Sequence, residues 1–595
     1  LFAALNILDP LYEACLERMR FFLEEWGEKG RKNHPNYHKS FTGILKRVEG
    51  HPNCRYFILK SIIVNNLYGV DIMEEAVEIC KLRLFLKLVA QIEQVEDLEP
   101  LPDIDFNIRA GNTLVGFANL AEIRDAAENE LKRNAHGGRQ GLLLLGDKED
   151  RLRKIEEEAE IADRAFHKFH EMQTARGMSP KDFSTAKEEL RARLKKLTDE
   201  LDRFLAMEYD VNMAKKDAFE KWRRSHQPFH WFAEFYGILK KGGFDVIIGN
   251  PPWKEISTLK GEYGIRNYKV EKSGNLYAVC SERSFELLAP GGSFSFIVQL
   301  PIVGSSRMLL LREYLMRHSA HLTLMPCDDR PGKLFDGLQH CRNCIFIASK
   351  PHRPNYNMLY TTRYNRWPTE ARGYLFPTVQ YTRFDEELMQ GVFPKLSGEI
   401  HASISHRFLS RPKRTLDRVI STTPTEHFIF YQEATQYWVK ATVGLPYYSK
   451  NGKVAPPAHG RFLYFSTKPM AQVIHAILNS SLFYTYFIAY GDCFHLSDTL
   501  ARSFPVPPAA FDDLELQGLA SALSRDLEKH AKRTKITTKD NDTIIYAEFN
   551  VSDSKSIIDK IDKVLAKHYG ITEEELDFII NYDIKYRMGQ AYKEE

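Results

Sequence analysis

The run Phe244-Asp245-Val246-Ile247-Ile248-Gly249 leads straight into Asn250-Pro251-Pro252-Trp253, and few junctions restrict a chain more. The first residues have the apolar, β-branched character of a buried strand. Proline has no N–H for a sheet ladder and holds its own φ, so two in succession end the strand and make a rigid turn. In a parallel α/β sheet the C-terminal end of a strand opens on the crevice where such sheets bind ligands. There the Asn250 side-chain oxygen and the Pro251 carbonyl would offer two acceptors at a fixed separation. Two such acceptors suit an amino group with two N–H bonds, and Trp253 next door suits a planar ring. The competing reading is a strand-ending turn over a core tryptophan.

The flanking sequence bears on that choice. Residues 1–50 read as helices, and Asn66-Leu67-Tyr68-Gly69-Val70-Asp71 as a short strand ending in an acid. Glu74 to Val89 follows as a helix with Ala76, Val77, Cys80, Leu84 and Leu88 on one side. Phe106 to Arg109 is a second strand before the polar turn AGNTLVGF, which contains Asn112. From about 119 to 240 the pattern changes to charge-rich helix. Ile155, Ala159, Ala162, Phe166 and Phe169, and again Leu190, Leu194, Leu197, Leu201 and Phe204, step at coiled-coil spacing. Between them Ser179 suits an N-cap and Pro180 a first helical turn. This predicts an antiparallel helical hairpin, read as a structural arm. After Trp253 we expect a helix over about 275–288 stopped by Ala-Pro-Gly-Gly, a strand over 293–298, a helix over 307–318 and a strand ending at 344–348. MAQVIHAILNSSLFYTYFIAY reads as one helix, IIDKIDKVLAKHYGITEEELDFII as two, with Thr572 and Glu575 as a capping box.

Strand–helix alternation on both sides of the arm predicts an α/β domain with one large insertion. We divide the chain into 1–118, 119–240, 241–350 and 351–595. A chain of 595 residues exceeds one core. No apolar run is long enough to span a bilayer, and the eight scattered cysteines read as reduced thiols of a cytoplasmic protein. The formal charge of +3 excludes a global basic signature, so any nucleic-acid contact falls to local patches. Candidates are 353–383, with Arg353, Tyr356, Tyr360, Arg363, Tyr364, Arg366 and Trp367, and 406–414, with His406, Arg407, Arg411, Lys413 and Arg414. HAKRTKITTK at 530–539 reads as a solvated loop. Cys341 and Cys344 form a C-x-x-C, but a structural zinc needs two further ligands, so the expectation is a strand with Cys344 packed inside and no metal.

With these residues in view, FDVIIGNPPW resembles the catalytic motif of N6-adenine DNA methyltransferases. YGVDIMEEAVEICKLRL, NIRAGNTLVG and SGNLYAVCSERSFELLAPGGSFSFIV are similar to the segments that accompany it in the large gamma-class enzymes of restriction–modification and phage defence, of the type IIG and PglX-like kind. AILNSSLFYTYF and LDFIINYDIKYRMG resemble the C-terminal regions of that group. The resemblance implies a Rossmann-like domain dependent on S-adenosylmethionine, with an inserted helical hairpin and a C-terminal mixed α+β target-recognition region. It implies that Asp71, with Ile72, holds the cofactor ribose and that Asn112 lies near the cofactor's adenine amine. Asn250 and Pro251 would orient the target amine, Pro252 would rigidify the turn and Trp253 would stack on the base. The partners implied are double-stranded DNA and other restriction or defence-system proteins. Asp71 also suits an ordinary helix N-cap, and Asn112 a turn residue. Cytosine-N4 methylation and a non-catalytic DNA-binding subunit are the rival functions. The family's first motif, an Asp-Pro-x-x-Gly-x-Gly loop that cradles the methionine end of the cofactor, has no counterpart: Leu8-Asp9-Pro10 imitates its start, but Leu-Tyr-Glu comes next. In the family that loop leads into a helix whose beginning LFAALNIL resembles, so the loop is expected upstream of Leu1. No nuclease motif is evident.

Overall fold

The computed structural model describes residues 1–588 apart from 95–100, 135–140, 175–178, 214, 260, 338–340, 353–356, 410–414, 436, 458–459 and 539–540. Two compact units emerge, one of residues 1–244, 255–268 and 279–289, the other of 245–254, 269–278 and 290–595.

In the first unit α1 (Phe2–Asn33), α2 (Pro35–Glu49) and α3 (Cys54–Asn66) precede β1 (Gly69–Asp71), α4 (Glu74–Val89) and β2 (Ile108–Ala110). Leu8, Asp9 and Pro10 lie inside α1, where Asp9 pairs with Arg55 at 2.9 Å, so they make no loop. β1 and β2 run parallel, with Asp71 opposite Ala110. α4 starts where Glu74 and Glu75 meet the positive end of the helix dipole. It buries Val77, Leu84 and Leu88 in a core with Leu59, Ile62, Ile63 and Ile108, each such side chain contributing about 1.5–3 kcal/mol.

The charge-rich stretch forms α5 (Leu120–Asn134), α6 (Gly141–Thr174) and α7 (Pro180–Glu208). The heptad-like residues are its seam: Ile155, Ala159, Ala162, Phe169, Leu190, Leu194, Leu197, Leu201 and Phe204 are buried. Ser179 takes the N-cap position and Pro180 the first turn of α7, but the Ser179 hydroxyl makes no capping bond. Near the start of α7 Asp105 accepts from Lys81 (2.9 Å), Lys187 (2.8 Å) and Arg191 (3.2 Å), tying α4 to α7.

The second unit is built on a mixed six-stranded sheet of β3 (Phe244–Gly249), β4 (Leu288–Gln299), β5 (His321–Cys327), β6 (Asn343–Ser349), β7 (Met358–Thr361) and β8 (Thr382–Phe384), in the order β3-β4-β6-β5-β7-β8. β6 is antiparallel to β4 and β5, and β5 is parallel to β7. Phe294, Phe346, Leu322 and Leu324 fill its core. β3 differs from the expected buried strand: Val246 and Ile248 are 70% and 65% exposed. Its apolar composition does not cover it, because β3 is the sheet's edge, with β4 its one neighbouring strand among the described residues. The helix stops just before Ala289-Pro290-Gly291-Gly292, as expected, but the strand starts earlier than expected. The helix Leu276–Leu287 passes directly into β4, and these four residues run within the strand. Gly291 takes a left-handed φ of 82° there, and its N–H donates to the Lys350 carbonyl.

Further along are β9 (His427–Gln432), β10 (Ala441–Thr442), β11 (Tyr448–Lys450), β12 (Lys453–Val454), β13 (Gly460–Phe465), β14 (Lys532–Thr537) and β15 (Thr543–Glu548). They form a three-stranded sheet, β10-β9-β13, and a four-stranded one, β12-β11-β15-β14. Within the stretch expected as a loop, Lys532–Thr537 is a strand, β14, that pairs along its length with β15; Lys539 lies outside the described residues. The single helix expected over MAQVIHAILNSSLFYTYFIAY is two, Lys468–Asn479 and Ser481–Tyr490, bent by 64°. Ser480 breaks it by taking extended backbone and capping the second helix through the Phe483 N–H. No single helix among the described residues is long and apolar enough to cross a membrane, and this apolar pair is buried in the unit's core. The capping box at Thr572 and Glu575 is present.

Candidate functional site

Asp71 ends β1 and is exposed. Its backbone carbonyl accepts from the Gly111 N–H (2.9 Å) and its Oδ1 from the Met73 N–H (2.9 Å). This is an Asx turn at the entrance to α4, not a cap of its first turn, which begins at Glu74. The second carboxylate oxygen has no partner among the described residues and points to no internal structural duty. Ile72 beside it is also exposed.

Asn112 stands two residues beyond Ala110, which is Asp71's partner in the ladder, so the parallel pair brings both residues to one sheet end. Asn112 is buried; its Oδ1 accepts from the Leu114 N–H (3.1 Å), while its Nδ2 has no partner. An open carboxylate oxygen and a buried, unused N–H₂ group at the same sheet end fit the hydroxyls and ring nitrogens of a nucleoside.

The loop with Asn112 is held by the segment that returns from the arm, which the sequence had not suggested. Asn112 N–H donates to the Gln227 carbonyl (2.8 Å), Phe229 N–H to Val115 (2.7 Å), and Trp231 Nε1 to Thr113 (3.2 Å). His230 Nδ1 accepts from the Phe117 N–H (3.2 Å), which leaves the proton on Nε2 to face Asp202 of α7 at 3.0 Å. A Cβ at Gly116 would come within 2.0 Å of the Phe229 carbonyl oxygen, so only glycine permits this closeness.

In the second unit Asn250 comes directly after the last residue of β3 and is exposed, and its side chain makes no hydrogen bond to the described residues. Pro251 is buried and Pro252 exposed, so one ring anchors the turn and the other faces out. Trp253 is half-buried. Its Nε1 donates to the Ile297 carbonyl of β4 (3.1 Å), which pins the indole edge to the sheet. The Phe335 ring meets it edge-on, with centroids 6.2 Å apart at 66°. Trp253 is thus neither a core residue nor free in solvent.

Phe335 was not singled out from sequence; an aromatic residue in the polar stretch RPGKLFDG was its one signal. Its loop starts from an ion cluster at the end of β5. Burial alone would push the Asp328 carboxyl up, but Arg366 (2.8 Å) and Arg342 (3.3 Å) hold it below the ordinary carboxylate range. Arg366, itself fully buried, also binds Asp583 near the C-terminal end (2.6 Å). Of the basic–aromatic candidates, Arg366, Tyr364 and Trp367 are therefore interior residues, and Arg363 joins Asp583 (2.6 Å). Arg407 pairs with Glu575 at 2.8 Å. Arg353, Tyr356, Arg411, Lys413 and Arg414 lie outside the described residues. Cys344 is buried in β6, and the described residues hold no group of three or more His, Cys, Asp or Glu able to bind a metal.

Every one of the predicted site residues falls within 65–327, the segment that matches the model of the Eco57I restriction-modification methylase family. A Methanocaldococcus jannaschii protein, named as a candidate type II restriction enzyme and methyltransferase, is 27% identical over 373 residues, 57% of this chain and 30% of that protein. The chain thus spans less than a third of the length of this curated relative. Among solved structures, the type IIL restriction-modification enzyme MmeI in complex with DNA covers 99% of this chain and 78% of its own at 10% identity and a TM-score of 0.37. The type ISP restriction-modification enzyme LlaGI with a DNA substrate mimic covers 97% and 78% at 9% identity and a TM-score of 0.30.

Proposed function

We propose that this chain is the modification part of a restriction–modification or phage-defence enzyme, a DNA methyltransferase that acts on the N6 amine of adenine. The observation that carries the reading is the turn after β3: an exposed Asn250 with an unused side chain, two prolines, and an indole whose edge is pinned while Phe335 stands against it. The family match to 65–327 supports the methylase class.

The adenine amine is a poor nucleophile because its lone pair is delocalised into the ring. The Asn250 Oδ1 and the Pro251 carbonyl would accept its two hydrogens out of the ring plane and favour a tetrahedral nitrogen. This is positioning and charge stabilisation rather than base catalysis, since the amine turns acidic only once methylated. Pro251 and Pro252 hold the acceptors still. The base must leave the duplex at a cost of a few kcal/mol, and stacking with Trp253 and Phe335 would return about 1–3 kcal/mol.

S-adenosylmethionine would supply the electrophilic methyl group. Asp71 would hold its ribose hydroxyls, with Ile72 alongside, and the unused Asn112 Nδ2 would donate to its base. Duplex DNA is the partner in this reading, and a cytoplasmic setting suits it. The test is transfer of labelled methyl to duplex DNA by the full-length protein, with hydrolysis of the product to nucleosides. Label in N6-methyladenine that disappears in Asn250→Ala supports the reading. Label in N4-methylcytosine replaces the target, and DNA binding without label in either base replaces the enzyme with a binding subunit.

A further inference from the structure

Strand register puts a further polar side chain on the sheet face that holds the Asn-Pro-Pro-Trp turn. β4, β6 and β5 pair in unbroken register, so Gln299, Asn343 and Cys327 form one row and Ile297, Ile345 and Met325 the next. Along β4 these residues alternate with Phe294, Phe296 and Val298, which are buried on the other face. Phe335 packs on the first face, in a cluster with Met325, Cys327 and Ile345. Trp253 meets the Phe335 ring and donates to the Ile297 carbonyl, so the indole stands over the same rows.

β3 adds Asn250 to that face. A Cβ on Gly249 would lie 3.2 Å from the Phe296 ring, which places Gly249 on the Phe296 side. Alternation turns the next residue, Asn250, to the side of Ile297 and Gln299. Gln299 is the last residue of β4, two beyond Ile297 and so about 7 Å further along the strand. The other polar groups of its row are in use. Asn343 Nδ2 donates to the Cys341 carbonyl (3.2 Å) and its Oδ1 accepts from the Cys341 thiol (3.6 Å). The Cys327 thiol donates to the Met325 carbonyl (3.5 Å). The Gln299 amide is half-buried and makes no hydrogen bond to the described residues. An unpaired glutamine on open surface is simply solvated; this one borders a row covered by a pinned indole and a phenyl ring.

We infer that Gln299 contacts the target base, its Nε2–H donating to a ring nitrogen beside the amine of the extruded adenine. The inference rests on the reading of the protein as an adenine methyltransferase. In that reading Asn250 and Pro251 accept both amine hydrogens from outside the ring plane. The ring nitrogens on either side of the amine, N1 and N7, are acceptors and still lack a donor. A glutamine amide supplies that donor, and glutamine is an established partner of the adenine edge. A bond in the ring plane fixes the rotation of the base against the indole and keeps its amine at the two acceptors, which is positioning.

The test is methyl transfer by the full-length protein to duplexes with adenine, 1-deazaadenine or 7-deazaadenine at the target, each analogue having one ring nitrogen replaced by C–H. Gln299→Ala should lower kcat/KM on adenine about tenfold, with an unchanged melting temperature. Gln299→Glu, which keeps the length but cannot donate, should lose as much. In wild type one of the two analogues should cost about tenfold, and in Gln299→Ala that analogue should cost nothing further. Effects of the analogue on pairing or on DNA binding are common to both proteins and cancel in this comparison. Full activity in both variants, no penalty for either analogue in wild type, or a penalty as large in Gln299→Ala as in wild type overturns the contact and leaves the methyltransferase reading standing. A wild-type protein that transfers no methyl to adenine overturns both.

Discussion

At single residues, exposure separates chemistry from stability. Asn250 is exposed and bonds to nothing described, so Asn250→Ala should leave unfolding within about 0.5 kcal/mol of wild type. The same change should lower methyl transfer at least 10²–10³-fold, about the effect of removing one preorganised polar group from a reacting centre. Protein that melts early as well would return Asn250 to the status of a structural turn. Trp253 has two separable properties, an N–H held by Ile297 and an aromatic surface beside Phe335. Trp253→Phe keeps the second and should cost about 1 kcal/mol of stability. Phe335→Ala should cost about 1–3 kcal/mol of base stacking, read as a loss in kcat/KM and in the fluorescence of a 2-aminopurine placed at the target adenine. An unchanged signal would remove Phe335 from the base site. The Asn-Pro-Pro-Trp turn was legible in sequence because proline acts on its own backbone. Phe335 was not, because its contact with Trp253 joins residues some eighty positions apart (from 253 to 335).

Among elements, the arm shows how a structural insertion bears on a site. Its seam could be read from heptad spacing, but not the clasp formed by Asp202, His230 and Phe229 on the Asn112 loop. Asp202→Ala would leave the His230 Nε2–H unsatisfied in the interior, for about 1–3 kcal/mol. The contact of Asp105 with α7 also carries a pH dependence. Desolvation raises the Asp105 pKa, but hydrogen bonds from Lys187 and Lys81 outweigh it and hold the carboxyl at about 2, below its ordinary 3.8. A depressed carboxylate stabilises the fold above its unfolded pKa and loses that effect as pH falls through the folded one. Stability from Asp105 should therefore be complete above about pH 4 and vanish towards pH 2; solvent screening of this part-exposed group limits it to about 1 kcal/mol. In acid-unfolding curves, Asp105→Asn should destabilise at neutral pH and converge on wild type towards pH 2. A constant gap down to pH 2 would contradict the assignment.

Across the molecule, the second unit joins its C-terminal segment to the β5 loop through buried charge. Arg366 lies between Asp328 and Asp583, and its removal would leave two carboxylates in the interior. Arg366→Ala should cost about 3–5 kcal/mol and should move the Phe335 loop, so that thermal melting and the 2-aminopurine signal change together. Arg366→Lys should rescue little, because a point charge cannot serve both carboxylates in the planar fork geometry. A melt within about 1 kcal/mol of wild type would show the network to be dispensable. In sequence Arg366 belonged to a basic, aromatic stretch weighed as a DNA-contacting face; in the structure its side chain is buried and its charge is spent on Asp328 and Asp583.

Helix α4, the arm's seam, the capping box at Thr572 and the proline turn after β3 arise from residues near one another in the chain, since dipole, periodicity, capping and φ are local properties. Whether β3 is central or an edge, whether Arg366 meets solvent or Asp583, and whether Lys532 to Thr537 is a loop or a strand depended on neighbours brought from far along the chain. Burial and pairing are relations between distant segments, and no stretch of sequence carries them alone.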